Sequence, residues 1–222
     1  PYDNVNSLIN IYKELLALEN SHWSELKKNE LIKIIKNCIG LRLQFNSNVP
    51  TGVAGNILMI KLKAINPSPL KITLETITGS VKFNINSPLS MNQSWEKIHS
   101  LTIPNKITTP YWLLEKGTLG NYNVADPDFK GLPEPPNPIQ VIFNLTIGGT
   151  SIPIGIPLTY RTTDRVAGEV IEDFQLLPKI TTQLSDEVYF FESFAASEIA
   201  ISLSILTLTD NAGKALSKFL AK

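Results

Sequence analysis

Val5, Leu8, Ile9, Tyr12, Leu15 and Leu16 recur at spacings of three and four, and this period predicts a helix over residues 4–19 with a single apolar stripe. "NSHWSELKKN" interrupts the stripe. Leu31, Ile34, Ile35, Cys38 and Ile39 then repeat the spacing up to Gly40, a natural C-terminal cap. Residues 1–39 therefore read as an α-hairpin, whose stripe near residues 5–16 is expected to face a neighbouring domain or, left bare, to drive dimer formation. After Gly40 the period falls to two, in "LRLQF", in Leu58, Ile60, Leu62 and Ala64, in Leu70, Ile72 and Leu74, and in Val81, Phe83 and Ile85. These are strands.

The clearest local pattern is "IQVIFNLTIGGTSIPIGIPLTY". Ile139, Val141, Phe143, Leu145 and Ile147 alternate up to Gly148 and Gly149, and Ile152, Ile154, Ile156 and Leu158 alternate away from them. Two glycines tolerate the positive φ of a tight hairpin turn. Pro153 and Pro157 share the other face of the return strand, which places it at or near a sheet edge, since proline donates nothing to a ladder. About eight short strands separated by turn residues predict an antiparallel sandwich over residues 40–162. "RTTDRVAGEVIEDFQLLP" reads as a connection over 163–177. In 178–222, "KITTQL", "EVYFF", "EIAISLSILTLT" and "KALSKFL" read as strands of a partial second β domain, the last two joined by "DNAG". A short helix from Ala212 to Ala221 competes for the final segment, because Ala215, Leu216, Phe219 and Leu220 also share one helical face.

"TPYWLLEKGTLGNYNVADPDFKGLPEPPNP", residues 109–138, suits neither period. Pro110 and the prolines from Pro133 to Pro138 restrict its backbone, so it reads mainly as a structural connection. Trp112, with Tyr111 or Tyr122, is expected to anchor it to the sandwich.

The 222 residues are 43% hydrophobic and 18% charged, the balance of a chain with a sizeable core. Twenty basic and twenty acidic residues cancel, leaving no long-range field to gather nucleic acid or an anionic membrane. No apolar run approaches the roughly 20 residues of a membrane span. The N-terminus lacks the basic and apolar regions of a signal peptide and starts at Pro1, so the chain is expected to be an excised piece. Cys38 stands alone and on an apolar helical face, as a buried, inert thiol would.

Catalytic chemistry has little material here. His22 and His99 lie far apart, and neither H-E-x-x-H nor C-x-x-C occurs, so no metal site is expected. There is no G-x-S-x-G, and no histidine stands ready to serve "TGS" at 78–80. Glu115, Asp126, Asp128 and Glu134 invite comparison with paired glycosidase acids, but loop carboxylates of this kind more simply form turns or stay solvated. "GNYNVADPDFKG" lacks the ligand order of an EF-hand. Sugar binding needs rigid aromatic faces flanked by amides or acids. Trp95, Tyr111, Trp112 and Tyr122 are the candidates, with structural packing as the competing role for each.

The order of the segments "IIKNCIGLRLQFN", "LKAINPSP", "PYWLLEKGTLGNYNV", "GLPEPPNPIQVIFNLTIGG", "IPLTYRTTDRVAGEV" and "LLPKITTQLSDEVYFF" resembles the region downstream of the catalytic domain in bacterial, Bacteroidetes-type PIG-L/LmbE-like proteins. Those are zinc-dependent N-acetylglucosaminyl deacetylases. The resemblance spans nearly the whole chain and implies an antiparallel immunoglobulin-like β-sandwich preceded by an N-terminal α-hairpin, with the start of a second β domain, in a mainly β fold. The family's Pro-His-Asp-Asp motif does not occur, so no catalytic residue carries over and zinc is expected only in a catalytic domain upstream. What the resemblance implies is a non-catalytic accessory region of a periplasmic or extracellular bacterial protein, with that upstream domain as its partner. The alternatives are a module binding carbohydrate or cell-wall material and a protein–protein interaction domain.

Overall fold

The computed structural model of the chain describes residues 1–184, 188, 201–207 and 217–221. The fold is mainly β behind a helical hairpin. Helix α1 spans Val5–Ala17 and α2 spans His22–Ile39. α2 starts where the Ser21 hydroxyl accepts from the Ser24 N–H and the Ser24 hydroxyl accepts from the Ser21 N–H, satisfying two amides that the helix itself leaves without partners. It stops at Gly40, whose φ of 74° is left-handed and whose N–H donates to the Asn37 carbonyl, with the Leu41 N–H reaching back to Lys36.

In chain order the strands are β1 (Arg42–Ser47), β2 (Thr51–Val53), β3 (Ile57–Ile65), β4 (Ile72–Gly79), β5 (Phe83–Pro88), β6 (Ser94–Thr102), β7 (Gln140–Ile147), β8 (Thr150–Pro157), β9 (Thr159–Asp164), β10 (Gly168–Asp173), β11 (Gln175–Leu177), β12 (Ile180–Leu184), β13 (Ile201–Thr207) and β14 (Ser217–Ala221). One sheet runs β10-β9-β1-β3-β6 and the other β5-β4-β7-β8, while β11 pairs with β2, and β12, β13 and β14 form a third sheet. Pairing is antiparallel except between β1 and β9 and between β2 and β11.

Alternation decides the core. Leu58, Ile60, Leu62 and Ala64 on β3 face inward, as do Ile72, Leu74 and Ile77 on β4 and Val141, Phe143, Leu145 and Ile147 on β7. Val141 opposes Ile156, Phe143 opposes Ile154 and Leu145 opposes Ile152 across the predicted hairpin. Gly148 and Gly149 turn it with φ of 55° and 76°. β8 is one of the two edge strands of its sheet, as Pro153 and Pro157 require.

The same apolar cluster includes Val5, Ile9, Tyr12, Leu31, Ile35 and Ile39 of the helices. This corrects the expectation for the α1 stripe. Ile9 lies against the β7–β8 turn, where its Cδ1 would stand 3.2 Å from a Cβ placed on Gly148. Val5, Ile9 and Tyr12 of the stripe are therefore covered by the chain's own core, with Leu8 and Leu15 partly buried beside them and Leu16 left 50% exposed; burying such side chains stabilises by about 2 kcal/mol apiece. Cys38 is half-buried against this cluster.

Residues 163–177, expected as a connection, are instead built into the β structure. The β9–β10 hairpin extends the first sheet, and Phe174 and Leu176 are both 1% exposed. Asp164 shapes the turn, its Oδ1 accepting from Val166 and Ala167 N–H at 2.7 Å each, and these bonds hold its carboxyl below the usual range. The sequence signal failed because β10 is exposed on both faces apart from half-buried Val170, so it carries no apolar alternation. Toward the C-terminus, residues 217–221 are strand rather than helix and pair antiparallel with β13. The expected strand at 187–191, Val188 apart, and the "DNAG" turn lie outside the described residues.

Between β3 and β4 the chain passes from one sheet to the other through "NPSP". Asn66 is fully buried, its Nδ2 donating to the carbonyls of Leu70 (2.9 Å) and Leu89 (3.2 Å) while its Oδ1 accepts from the Ser68 hydroxyl (2.7 Å) and N–H (3.0 Å). Backbone groups that the ladders cannot reach are satisfied by one side chain. Asn66→Ala should destabilise by about 3 kcal/mol, because it strands buried donors and acceptors. Asn66→Asp should fare no better, since a carboxylate cannot donate to the two carbonyls. Denaturant titration of both variants checks this, and a near-native midpoint for Asn66→Asp would contradict it.

On the solvent face of the first sheet Glu96 opposes Lys63 in register and meets Lys61 Nζ at 2.8 Å and Lys63 Nζ at 3.0 Å. Hydrogen bonds from Lys61, then from Lys63, bring the Glu96 carboxyl from 4.5 down to about 2. A carboxyl lowered in the folded state adds stability above its unfolded value, and that contribution fades as pH falls from 4.5 towards 2. NMR titration should place the Glu96 midpoint near 2 and find it raised in Lys61→Met. An unmoved midpoint in that variant would refute the pairing.

Candidate functional site

Residues 103–139 carry the chain from β6 in the first sheet to β7 in the second. Polar side chains fasten both ends. The Thr108 N–H donates to the Leu176 carbonyl at 2.9 Å and the Leu176 N–H donates to Thr108 Oγ1 at 3.0 Å. At the far end Asn137 Nδ2 donates to the carbonyls of Leu158 (3.1 Å) and Phe174 (3.3 Å), and its Oδ1 accepts from the Ile139 N–H at 2.9 Å.

Between these ends the segment has local structure of its own. Residues Tyr111–Leu113 and Pro127–Phe129 each form one 3₁₀ turn, the second capped by Asp126 Oδ1 accepting from the Asp128 N–H. Thr118 and Asn121 exchange two backbone hydrogen bonds of 3.0 and 3.1 Å around Gly120, whose φ is 77°. Gly117 must lack a side chain here, because its Cβ would stand 2.6 Å from the Asn121 carbonyl oxygen.

Tyr111 meets Trp112 edge-on at 4.9 Å between ring centroids, lies 5.9 Å from the Phe129 ring, and donates its hydroxyl to the Leu132 carbonyl. These contacts replace the expected anchoring. Tyr111, Trp112 and Tyr122 are absent from the hydrophobic residues packed against the core; Tyr111 and Trp112 pack within the segment, and Thr108 and Asn137 do the fastening. A hydroxyl and an amide can reach backbone groups left over at strand ends, which an aromatic ring cannot.

Of the four predicted residues, Trp112 and Tyr122 line one cleft of about 290 Å³, together with Leu113, Glu115, Thr118 and Asn121. That is just below the range usual for ligand sites, roughly 300–1,000 Å³. Tyr111 packs edge-on to Trp112 and is not part of the lining. Trp95 is elsewhere, on β6 opposite Ala64 and half-buried against the core. Glu115, assigned to a turn or to solvent by the sequence, borders the cleft and accepts a short hydrogen bond from Asn123 Nδ2. The signal that could have found it is the Gly117 to Gly120 turn, which folds Asn121 and Tyr122 back toward Trp112 and Glu115.

A larger cleft of about 720 Å³ lies between the two ends of the segment, where Ile107, Leu114, Phe129 and three prolines alternate with polar residues that include Lys106 and Asn137. Size alone would favour it. Its lining has amides at Asn105, Asn137 and Gln140 but a single ring, Phe129, and no carboxylate, whereas two rings, an amide and a carboxylate converge in the smaller cleft, which is therefore the candidate site.

The histidines and acids of the described residues stand apart. Among them no three His, Cys, Asp or Glu side chains come together. His22 packs edge-on to Trp23 at 5.6 Å, and His99 packs edge-on to Phe83 at 5.0 Å with Lys97 Nζ over the same ring. No described helix is long and apolar enough to cross a membrane.

No family model matches this chain, and no curated protein does. Among solved structures the chain is similar to a Pseudomonas fluorescens alkylpurine DNA glycosylase, AlkC, bound to DNA containing an abasic site analog. The likeness has 9% identity and a TM-score of 0.25, covering 69% of this chain and 45% of that one. The chain thus spans under half of that structure, and a likeness this slight carries no argument about fold or function.

Proposed function

We propose that this chain is a non-catalytic accessory module whose segment between β6 and β7 holds carbohydrate. The observation that carries the reading is the convergence of Trp112 and Tyr122 on one cleft with Glu115, Thr118 and Asn121. Flat rings receive the apolar faces of a pyranose, and the neighbouring carboxylate, hydroxyl and amide accept from and donate to its hydroxyls. Fastening at Thr108 and Asn137 supports the reading too, since a site held in place before binding loses less entropy on association. The resemblance to regions downstream of PIG-L/LmbE-like catalytic domains supports an accessory role. In that role the deacetylation of N-acetylated sugars, and its zinc, belong to a neighbouring domain in a periplasmic or extracellular protein.

Titration with oligosaccharides, followed by tryptophan fluorescence, should give saturable binding that Trp112→Ala and Tyr122→Ala each abolish. Both variants should lose far less stability than the roughly 3–5 kcal/mol of a core aromatic truncation. Trp95→Ala should do the reverse, keeping binding while losing about 2 kcal/mol of packing. Silence of the native chain at millimolar sugar would reject the carbohydrate reading.

The accessory reading has a separate check. Acetate release from N-acetylated sugar by this chain with added zinc is expected to stay at background, and robust turnover would overturn it.

A further inference from the structure

The lining of the small cleft has a sign. Glu115 contributes a carboxylate, Trp112 and Tyr122 contribute electron-rich rings, and Thr118 and Asn121 are neutral, while no lysine or arginine lines it. Lys116 adjoins Glu115 in the chain but is not part of the lining. Glu115 is exposed and takes its hydrogen bond from the Asn123 amide, and its carboxylate makes no ion pair among the described residues. A carboxylate beside two aromatic rings attracts a cation twice over, by charge and by the negative potential of the ring faces. A neutral sugar would use the rings and hydrogen-bond the carboxylate through its hydroxyls, but leave the negative charge uncompensated.

We infer that the cleft selects a sugar bearing a protonated amine, a free-amine hexosamine over its N-acetylated or hydroxyl counterpart. This rests on the carbohydrate reading and deepens it. The ammonium sits between Glu115 and the rings, and the pyranose body lies along Trp112 or Tyr122. The Asn123 hydrogen bond leaves Glu115 accepting capacity for the ammonium, because a carboxylate offers about four lone-pair positions.

The test compares three oligomers of equal length, in β-1,4-linked glucosamine, N-acetylglucosamine and glucose, at a pH where the free amine is protonated. Calorimetric titration should find the glucosamine oligomer bound about tenfold more tightly than the other two, with the preference weakening as salt rises. Glu115→Gln preserves size and hydrogen-bonding capacity. It should bring all three oligomers to similar affinity, with the loss falling chiefly on the glucosamine oligomer. Equal affinities in the native chain would overturn this inference and leave the carbohydrate reading intact. A preference that survives Glu115→Gln would also overturn it, by removing the carboxylate as its source. Binding of tetramethylammonium without any oligomer would sink the carbohydrate reading while sparing the cation site, and no binding of any probe would sink both.

Discussion

A two-sheet sandwich holds together only if the chain can cross from one sheet to the other without leaving polar backbone unpaired in the interior. At the first such crossing Asn66 meets this demand, its amide and carbonyl serving Ser68, Leu70 and Leu89 from a fully buried position. Because Leu89 follows β5 and Leu70 precedes β4, one side chain holds the start and end of the β4–β5 hairpin beneath β3. The hydrophobic cluster supplies the driving force, but it is non-directional. Hydrogen bonds of this kind decide which crossing it stabilises.

The same device recurs where the chain crosses again, between β6 and β7. Thr108 and Asn137 fasten that longer segment to Leu158, Phe174 and Leu176. Residues 109–136 are thereby released from duty in the core, and their rings and glycines shape a cleft instead. The clearest candidate site in the molecule is thus a by-product of how the backbone of a sandwich crossing is satisfied. It also explains why the 3₁₀ turns, the Asp126 cap and the Thr118–Asn121 turn are local: they order a stretch that has no ladder to join.

One face of the helical hairpin packs on the sandwich. Val5, Ile9 and Tyr12 are buried while Ile11, Leu18 and Trp23 on the remaining surface are 52%, 58% and 69% exposed. The stripe was legible as apolar from its spacing alone. What covers it was not, since periodicity marks a face for burial without naming the surface that buries it.

The order of residues by itself determined the α-hairpin with its Gly40 stop, the alternating strands β1, β3, β4, β5, β7 and β8, the Gly148–Gly149 turn and the edge position of the proline-bearing β8. Each of these follows from local backbone preference or from a burial period repeated over several residues. Tertiary structure alone decided that β6 joins β3 and residues 163–177 extend the β structure, that Trp95 lies against the core away from the cleft, and that Glu115 and Asn121 join Trp112 and Tyr122. Those outcomes depend on hydrogen bonds between residues as distant as Thr108 and Leu176 and on turns in a segment without period. No local pattern encodes which side chains such a backbone brings together.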